Sequence, residues 1–163
     1  MIIYLKNKQT LEVDDFIFKC SIGKSGLIKN KIEGDKKTPK GIFSLGPLYY
    51  RQDKISKPLT KIETIAIKKN MIWCDDPKSS FYNRLCFKNH KIKGEKMFRQ
   101  DSKYNLVLVI NYNTKNPKKN QGSAIFLHLT KNYKKTLGCI VLKKNDFLIL
   151  LKIIDKKTKI NIS

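Results

Sequence analysis

Residues Ser123 to Leu142 read S-A-I-F-L-H-L-T-K-N-Y-K-K-T-L-G-C-I-V-L. Two short apolar runs flank a polar loop, the pattern of two buried strands around a connection. His128 stands near the end of the first run and Cys139 at the start of the second, eleven residues apart in the chain. The loop is long enough to turn back, so neighbouring strands would bring the two side chains together. A thiol beside an imidazole makes a nucleophile: the ring takes the proton and the thiolate attacks a carbonyl. Gly138, just before the cysteine, lets backbone approach a substrate and aim N–H groups at a developing oxyanion. The competing reading is structural, since cysteine is among the most buried residues and a histidine in an apolar strand is commonly a satisfied core residue.

Working outward, the sequence predicts a mainly β domain with one helix. Ile2 to Leu5 and Leu11 to Ser21 read as strands turned at Asn7 and Lys8. Gly23 to Gly41 is a loop containing Thr38-Pro39-Lys40-Gly41, which aims the strand beginning at Ile42. An alternating strand starts at Ile62, and Met71 to Pro77 reads M-I-W-C-D-D-P, leading to F-Y-N-R at Phe81 to Arg84. Adjacent Asp75 and Asp76 face opposite ways on a strand and so form no carboxylate dyad. Turn caps and ion pairs are the reading of the residues themselves for Asp75, Asp76 and Arg84. Leu85 to Tyr104 is weakly periodic, as expected of a lid, a binding loop or a disordered segment, and His90 within it is expected on the solvated surface. Leu106 to Ile110, L-V-L-V-I, is a continuous apolar run and so a central strand. Phe147, Leu150, Leu151 and Ile154 fall at helical spacing, with Asn145 or Asp146 as N-cap. Thr158 to Ser163 closes as a strand with Ile160 and Ile162 inward.

The 163 residues fit one domain, 1–163, whose core needs no disulfide. No apolar run approaches the roughly 18 residues of a membrane span. The net charge of +22, with abundant Ile and Asn, reads first as a bias of composition along the whole chain, and such a basic surface also suits an anionic polymer such as cell wall. Yet arginine occurs only at 51, 84 and 99, so 32 of the 35 basic residues are lysine, spread from Lys6 to Lys159. Arginine is the residue that reads bases and forks onto phosphates, so a nucleic-acid partner is not expected. Cys20, Cys74, Cys86 and Cys139 form no C-x-x-C, and two histidines are too few for a structural zinc site. Free thiols are the expectation, with Cys74 and Cys86 the pair to join if any did. Met1-Ile-Ile-Tyr-Leu-Lys is too short for the apolar core of a signal peptide.

His128, a gap, then Thr136-Leu137-Gly138-Cys139 and an apolar strand resembles the signature of the YkuD-type L,D-transpeptidases. The likeness extends to Thr38-Pro39-Lys40-Gly41, and W-C-D-D-P with Y-N-R resembles a short single-domain branch of that family. Two positions depart from it: Leu137 stands where a histidine is usual, and Val141 where an arginine often follows. The resemblance implies a β-sandwich of mixed sheets with one helix in its C-terminal region. It implies a cysteine acyltransferase on peptidoglycan stem tetrapeptides, working without metal or organic cofactor. Cys139 would be the nucleophile, His128 the sole base, and the N–H groups of Gly138 and Cys139 the oxyanion donors, with Thr136, Leu137, Asn111, Tyr112 and Arg84 binding substrate. An amine acceptor would give a 3-3 cross-link and water an L,D-carboxypeptidase; a non-catalytic basic domain binding wall or nucleic acid is the other reading. A monomer is expected. The family implies the cell envelope or periplasm, with the cytoplasm left open because no signal peptide is visible.

Overall fold

The computed structural model describes residues 1–88 and 92–163. His90 lies outside the described residues. Strands β1 (Ile2–Lys6), β2 (Thr10–Val13) and β3 (Phe16–Lys19) form a meander. Asn7 and Lys8 turn the first pair with φ of 50° and 58°, matching the primed turns that follow strand twist. The single strand expected over Leu11 to Ser21 is broken at Asp14, whose φ is 47°.

Two-residue strands β4 (Leu27–Ile28) and β5 (Thr38–Pro39) pair within the expected loop. Next come β6 (Gly41–Tyr50), β7 (Thr64–Ala66), β8 (Met71–Trp73), β9 (Leu85–Phe87) and β10 (Glu95–Lys96). A 3-10 turn at Lys103–Asn105 leads into β11 (Leu106–Ile110), then β12 (Phe126–Leu129), β13 (Ile140–Leu142), α1 (Lys144–Ile153) and β14 (Lys159–Ile162).

The main sheet runs β13-β12-β11-β6-β14-β1-β2-β3, with β7 also on β6. β6 joins its two halves: Gly41 to Ser44 pair with β14, and Leu45 to Tyr50 with β11. The ladder slips within the second half, where Ile110 faces Leu45 but Leu108 faces Leu48. Gly46 sits at the slip, and a Cβ there would come within 2.9 Å of the Val109 side chain. β10-β8-β9 forms a smaller sheet.

β11 is buried at all five positions because both its faces are covered. Leu106, Leu108 and Ile110 point into a core with Phe147, Leu150, Leu151 and Ile154 of the helical segment. Val107 and Val109 point the other way, into a core with Trp73, Met97, Tyr104, Phe126 and Cys139. Period-two alternation thus assigns the helix to one face and the candidate nucleophile to the other. The fold is mainly β with mixed sheets and one helix, consistent with the expected sandwich. The N-cap is Lys143 rather than Asn145 or Asp146, and no side chain caps it, because the helix starts directly after β13. Ile160 and Ile162 are buried as expected. No helix among the described residues is long and apolar enough to cross a membrane.

Candidate active site

β12 and β13 are adjacent but parallel, with Leu127 opposite Ile140 and His128 opposite Val141. A polar loop returns the chain to the start of β12, so Cys139 meets the Phe126 end of the strand. The Phe126 N–H donates to Cys139 Sγ at 3.4 Å, and the thiol donates to the Ala124 carbonyl at 3.2 Å. Phe126 and His128 share a face of β12, which puts the imidazole on the thiol's side. Both line a cleft of about 1030 Å³, together with Thr136, Leu137 and Gly138.

His128 Nδ1 lies 3.0 Å from the Leu129 carbonyl oxygen. A carbonyl only accepts, so Nδ1 carries the hydrogen and Nε2 keeps its lone pair. The Tyr104 ring meets the imidazole edge-on at a centroid distance of 5.1 Å, and its hydroxyl donates to Glu95. Burial brings the His128 pKa down to about 4, aided by the charges of Lys103 and Arg99. Burial pushes the Cys139 thiol up to about 12, with the Glu95 charge adding to it. The resting pair is therefore thiol and neutral imidazole, not thiolate and imidazolium. No hydrogen bond joins Cys139 to His128 among the described residues.

Gly138 has φ of +149°, and a Cβ there would meet the Lys37 carbonyl oxygen at 3.0 Å. Its N–H, expected to face an oxyanion, donates instead to Thr136 Oγ1 at 3.0 Å, while that hydroxyl donates to the Cys139 carbonyl at 2.6 Å. Thr136 thus shapes the turn. The Gly138 carbonyl accepts from Thr38 Oγ1 at 2.7 Å, and Thr38 Oγ1 accepts from the Gly23 N–H at 2.9 Å. The early T-P-K-G segment is in this way bolted to the cysteine turn 100 residues later. Leu137 is 71% exposed at the cleft.

The other expected binding residues lie elsewhere. Arg84 is exposed on the turn before β9, and the Asn111 amide bonds Ser44 Oγ at 3.0 Å. Tyr112 edges a separate groove with Lys29 and Lys119. None of the three lines the cleft that holds Cys139. Residues not assigned to the site from sequence do line it: Glu33, Asp75 and Glu95 bring acidic groups beside Lys31, Lys103 and Lys134. Burial raises the Asp75 carboxyl, and the neighbouring Glu33 charge raises it further. Burial likewise raises Glu95. Arg51 was also missed. It is 3% exposed, forks onto Asp53 at 2.8 and 2.7 Å, lies 3.5 Å over the Phe98 ring, and donates to the Arg99 carbonyl. It fixes the segment that carries Arg99 and Asp101 to the cleft wall. Asp76 caps its turn, accepting from the Lys78 N–H at 2.9 Å, as read from sequence.

All four cysteines are free and buried. No cluster of three or more metal-ligating side chains occurs among the described residues.

The family model of the YkuD L,D-transpeptidase catalytic domain matches residues 1–162. No curated protein matches. Among solved structures, the chain is similar to the helical cell shape determining protein Pgp2 from Campylobacter jejuni, with 19% identity and a TM-score of 0.53. The match covers 99% of this chain and 46% of that one. Bd1075 of Bdellovibrio bacteriovorus is matched at 19% identity and a TM-score of 0.48, over 99% of this chain and 47% of that one. The chain spans less than half the length of either. The first of these likenesses is one of fold.

Proposed function

We propose, for a chain that belongs to the YkuD family of L,D-transpeptidase catalytic domains, that Cys139 is the nucleophile of an acyl transfer on peptidoglycan stem tetrapeptides. The observation that carries the reading is the His128 tautomer. Nδ1–H is committed to the Leu129 carbonyl, so Nε2 is the basic atom, and it belongs to a side chain lining the same cleft as the thiol. Burial keeps this base neutral at pH 7, with its acceptor atom free, and lowers its basicity until charge develops beside it.

In the acylation step Sγ attacks the carbonyl carbon of the third residue, a diamino acid. The S–C bond forms, the C–N bond to the terminal D-alanine breaks, and the proton taken by Nε2 passes to the departing nitrogen. In the second step an acceptor amine gives its proton to Nε2 as its nitrogen bonds the carbonyl carbon; the S–C bond breaks, and that proton passes from Nε2 to the departing Sγ, restoring thiol and neutral imidazole. Since the thiol is not ionised at rest, proton transfer and attack run together, and the imidazolium is stabilised only once negative charge appears on sulfur or oxygen. The Cys139 N–H has no acceptor among the described residues and is the oxyanion donor, a contribution of about 3 kcal/mol in comparable sites. Gly138 serves by its backbone conformation, and Thr136 by holding the turn. With Leu137 in place of a second histidine, no other imidazole among the described residues shares the proton transfers.

Water as acceptor gives the L,D-carboxypeptidase from the same acyl-enzyme. The test is mass spectrometry of products from a defined tetrapeptide muropeptide, alongside the intact protein mass. Loss of D-alanine with a thioester adduct on wild type, and neither in Cys139→Ala or His128→Ala, is expected; dimeric and tripeptide products separate cross-linking from trimming. Turnover by Cys139→Ala would sink the assignment.

A further inference from the structure

Asn83 is 2% exposed and uses every polar valence it has. Its Oδ1 accepts from Trp73 Nε1 at 2.9 Å and from the Ala124 N–H at 3.0 Å. Its Nδ2 donates to the Tyr112 and Asn113 carbonyls at 3.0 and 2.7 Å. Asn83 itself has φ of 56°, a conformation asparagine tolerates better than most residues. Its partner Ala124 has φ of 52°, which alanine does not adopt without being held. Ala124 is also the residue whose carbonyl accepts the Cys139 thiol. On its N-terminal side, Ser123 Oγ is fixed to Glu33 at 2.7 Å.

We propose that Asn83 is a positioning residue for the nucleophile: by clamping the Ala124 N–H it holds that residue in its strained turn, so that the Ala124 carbonyl keeps the Cys139 proton while the cleft is empty. The sulfur then sits between a donor, the Phe126 N–H, and an acceptor, the Ala124 carbonyl. The donor suits a thiolate as well as a thiol; the acceptor suits only the thiol, because its lone pairs would face a negative sulfur. Leaving the Ala124 carbonyl is therefore the first event of the reaction, and it precedes delivery of the proton to His128 Nε2. An unoccupied site keeps its cysteine protonated, which slows alkylation and oxidation. The other titratable or charged groups that bear on the sulfur are Glu95 on β10, Lys31 before β5 and Tyr104 in the 3-10 turn, and His128 on β12 lines the same cleft. None of these bonds to Asn83 or Ala124 among the described residues.

The inference rests on reading Cys139 as the nucleophile, but its test needs no substrate, so its failure and the failure of the muropeptide assay are separate results. Iodoacetamide alkylation of each cysteine is followed by peptide mass spectrometry in wild type, Asn83→Gly and Trp73→Phe. Glycine accepts the positive φ, so the change removes the clamp and not the turn. Loss of one hydrogen bond to the thiol form is expected to speed Cys139 alkylation at pH 8 about fivefold in Asn83→Gly. Cys20, which is buried too and far from Asn83 in the chain, should keep its wild-type rate. Trp73→Phe removes another of the bonds to Asn83 Oδ1 and leaves the Ala124 clamp, so Cys139 should react there as in wild type. Unchanged Cys139 reactivity in Asn83→Gly, or equal acceleration at Cys20, overturns the proposal. Because Asn83→Gly could fail to fold, the thiol bond is also read in the native protein. The infrared S–H stretch isolated by subtracting Cys139→Ala should lie below that of an unbonded thiol. A band at the unbonded position overturns the proposal without any variant at Asn83.

Discussion

Replacing Thr38 by valine tests whether the cysteine turn is held from a distance. Valine keeps the volume and β-branching and removes only the hydroxyl, which donates to the Gly138 carbonyl at 2.7 Å and accepts from the Gly23 N–H at 2.9 Å. Thr38 is fully buried, so no water replaces it. Two backbone groups are then left without partners, at about 1–3 kcal/mol each, for a total of roughly 2–6 kcal/mol. That is a large part of the roughly 5–15 kcal/mol that holds a domain of this kind together. Thr38→Ser keeps the hydroxyl and loses one methyl, for about 1 kcal/mol. Urea unfolding followed by tryptophan fluorescence gives both values, with Trp73 as the probe. Turnover measured on folded Thr38→Val should fall further than in Thr38→Ser, because the Gly138 carbonyl is free to swing and Cys139 with it. Thr38→Val within 0.5 kcal/mol of Thr38→Ser would refute the argument: the two hydrogen bonds would then carry no net stability.

Two other outcomes are expected. Gly138→Ala places a Cβ 3.0 Å from the Lys37 carbonyl at a φ of +149°, so about 1–3 kcal/mol of stability should go, and most of the turnover with it; wild-type unfolding and kinetics would count against the strain. His128 has a folded pKa of about 4 against an ordinary 6.5, so the unfolded chain binds the proton that the folded chain refuses. Its contribution is intact above pH 6.5 and is lost as pH falls toward 4, up to about 3 kcal/mol, a slope that His128→Gln should remove from urea titrations. The same slope in that variant would exclude His128 as its source.

Much of the architecture could be read in advance where one pattern dominated. Leu106 to Ile110 has no polar residue to face solvent, so only a strand covered on both sides suits it. Phe147, Leu150 and Leu151 repeat at helical spacing because one stripe meets the core. Asn7 and Lys8 turn where they must, at the middle of the polar break from Lys6 to Thr10 between two short apolar runs. The orientation of β13 was not legible, because a polar loop of that length closes an antiparallel or a parallel pair equally well. His128, Cys139 and Gly138 stood out as candidates because their chemistry is scarce in the chain. Asn83 was passed over for its neighbour Arg84, since a charge draws attention and a buried amide does not; the usable signal was an asparagine in a turn, a residue that accepts positive φ and can bond backbone on both sides of itself. Asn111 and Tyr112 follow a strand that borders the site, but one points to Ser44 and the other to a separate groove. Position beside a site in the chain does not fix side-chain direction.

The pairing of β14 between β6 and β1 has a consequence for the birth of the molecule. Ile2 lies beside Lys159, and Ile162 beside Gly41. Strands β1 to β3 therefore have no sheet to join until β14 has left the ribosome, and until then the Gly41 to Ser44 edge waits unpaired. Such long-range closure makes for slow folding and for exposed strand edges meanwhile. Removing Lys159 to Ile162 would do more than trim an end: it would cut the meander from the half of the sheet that carries Cys139.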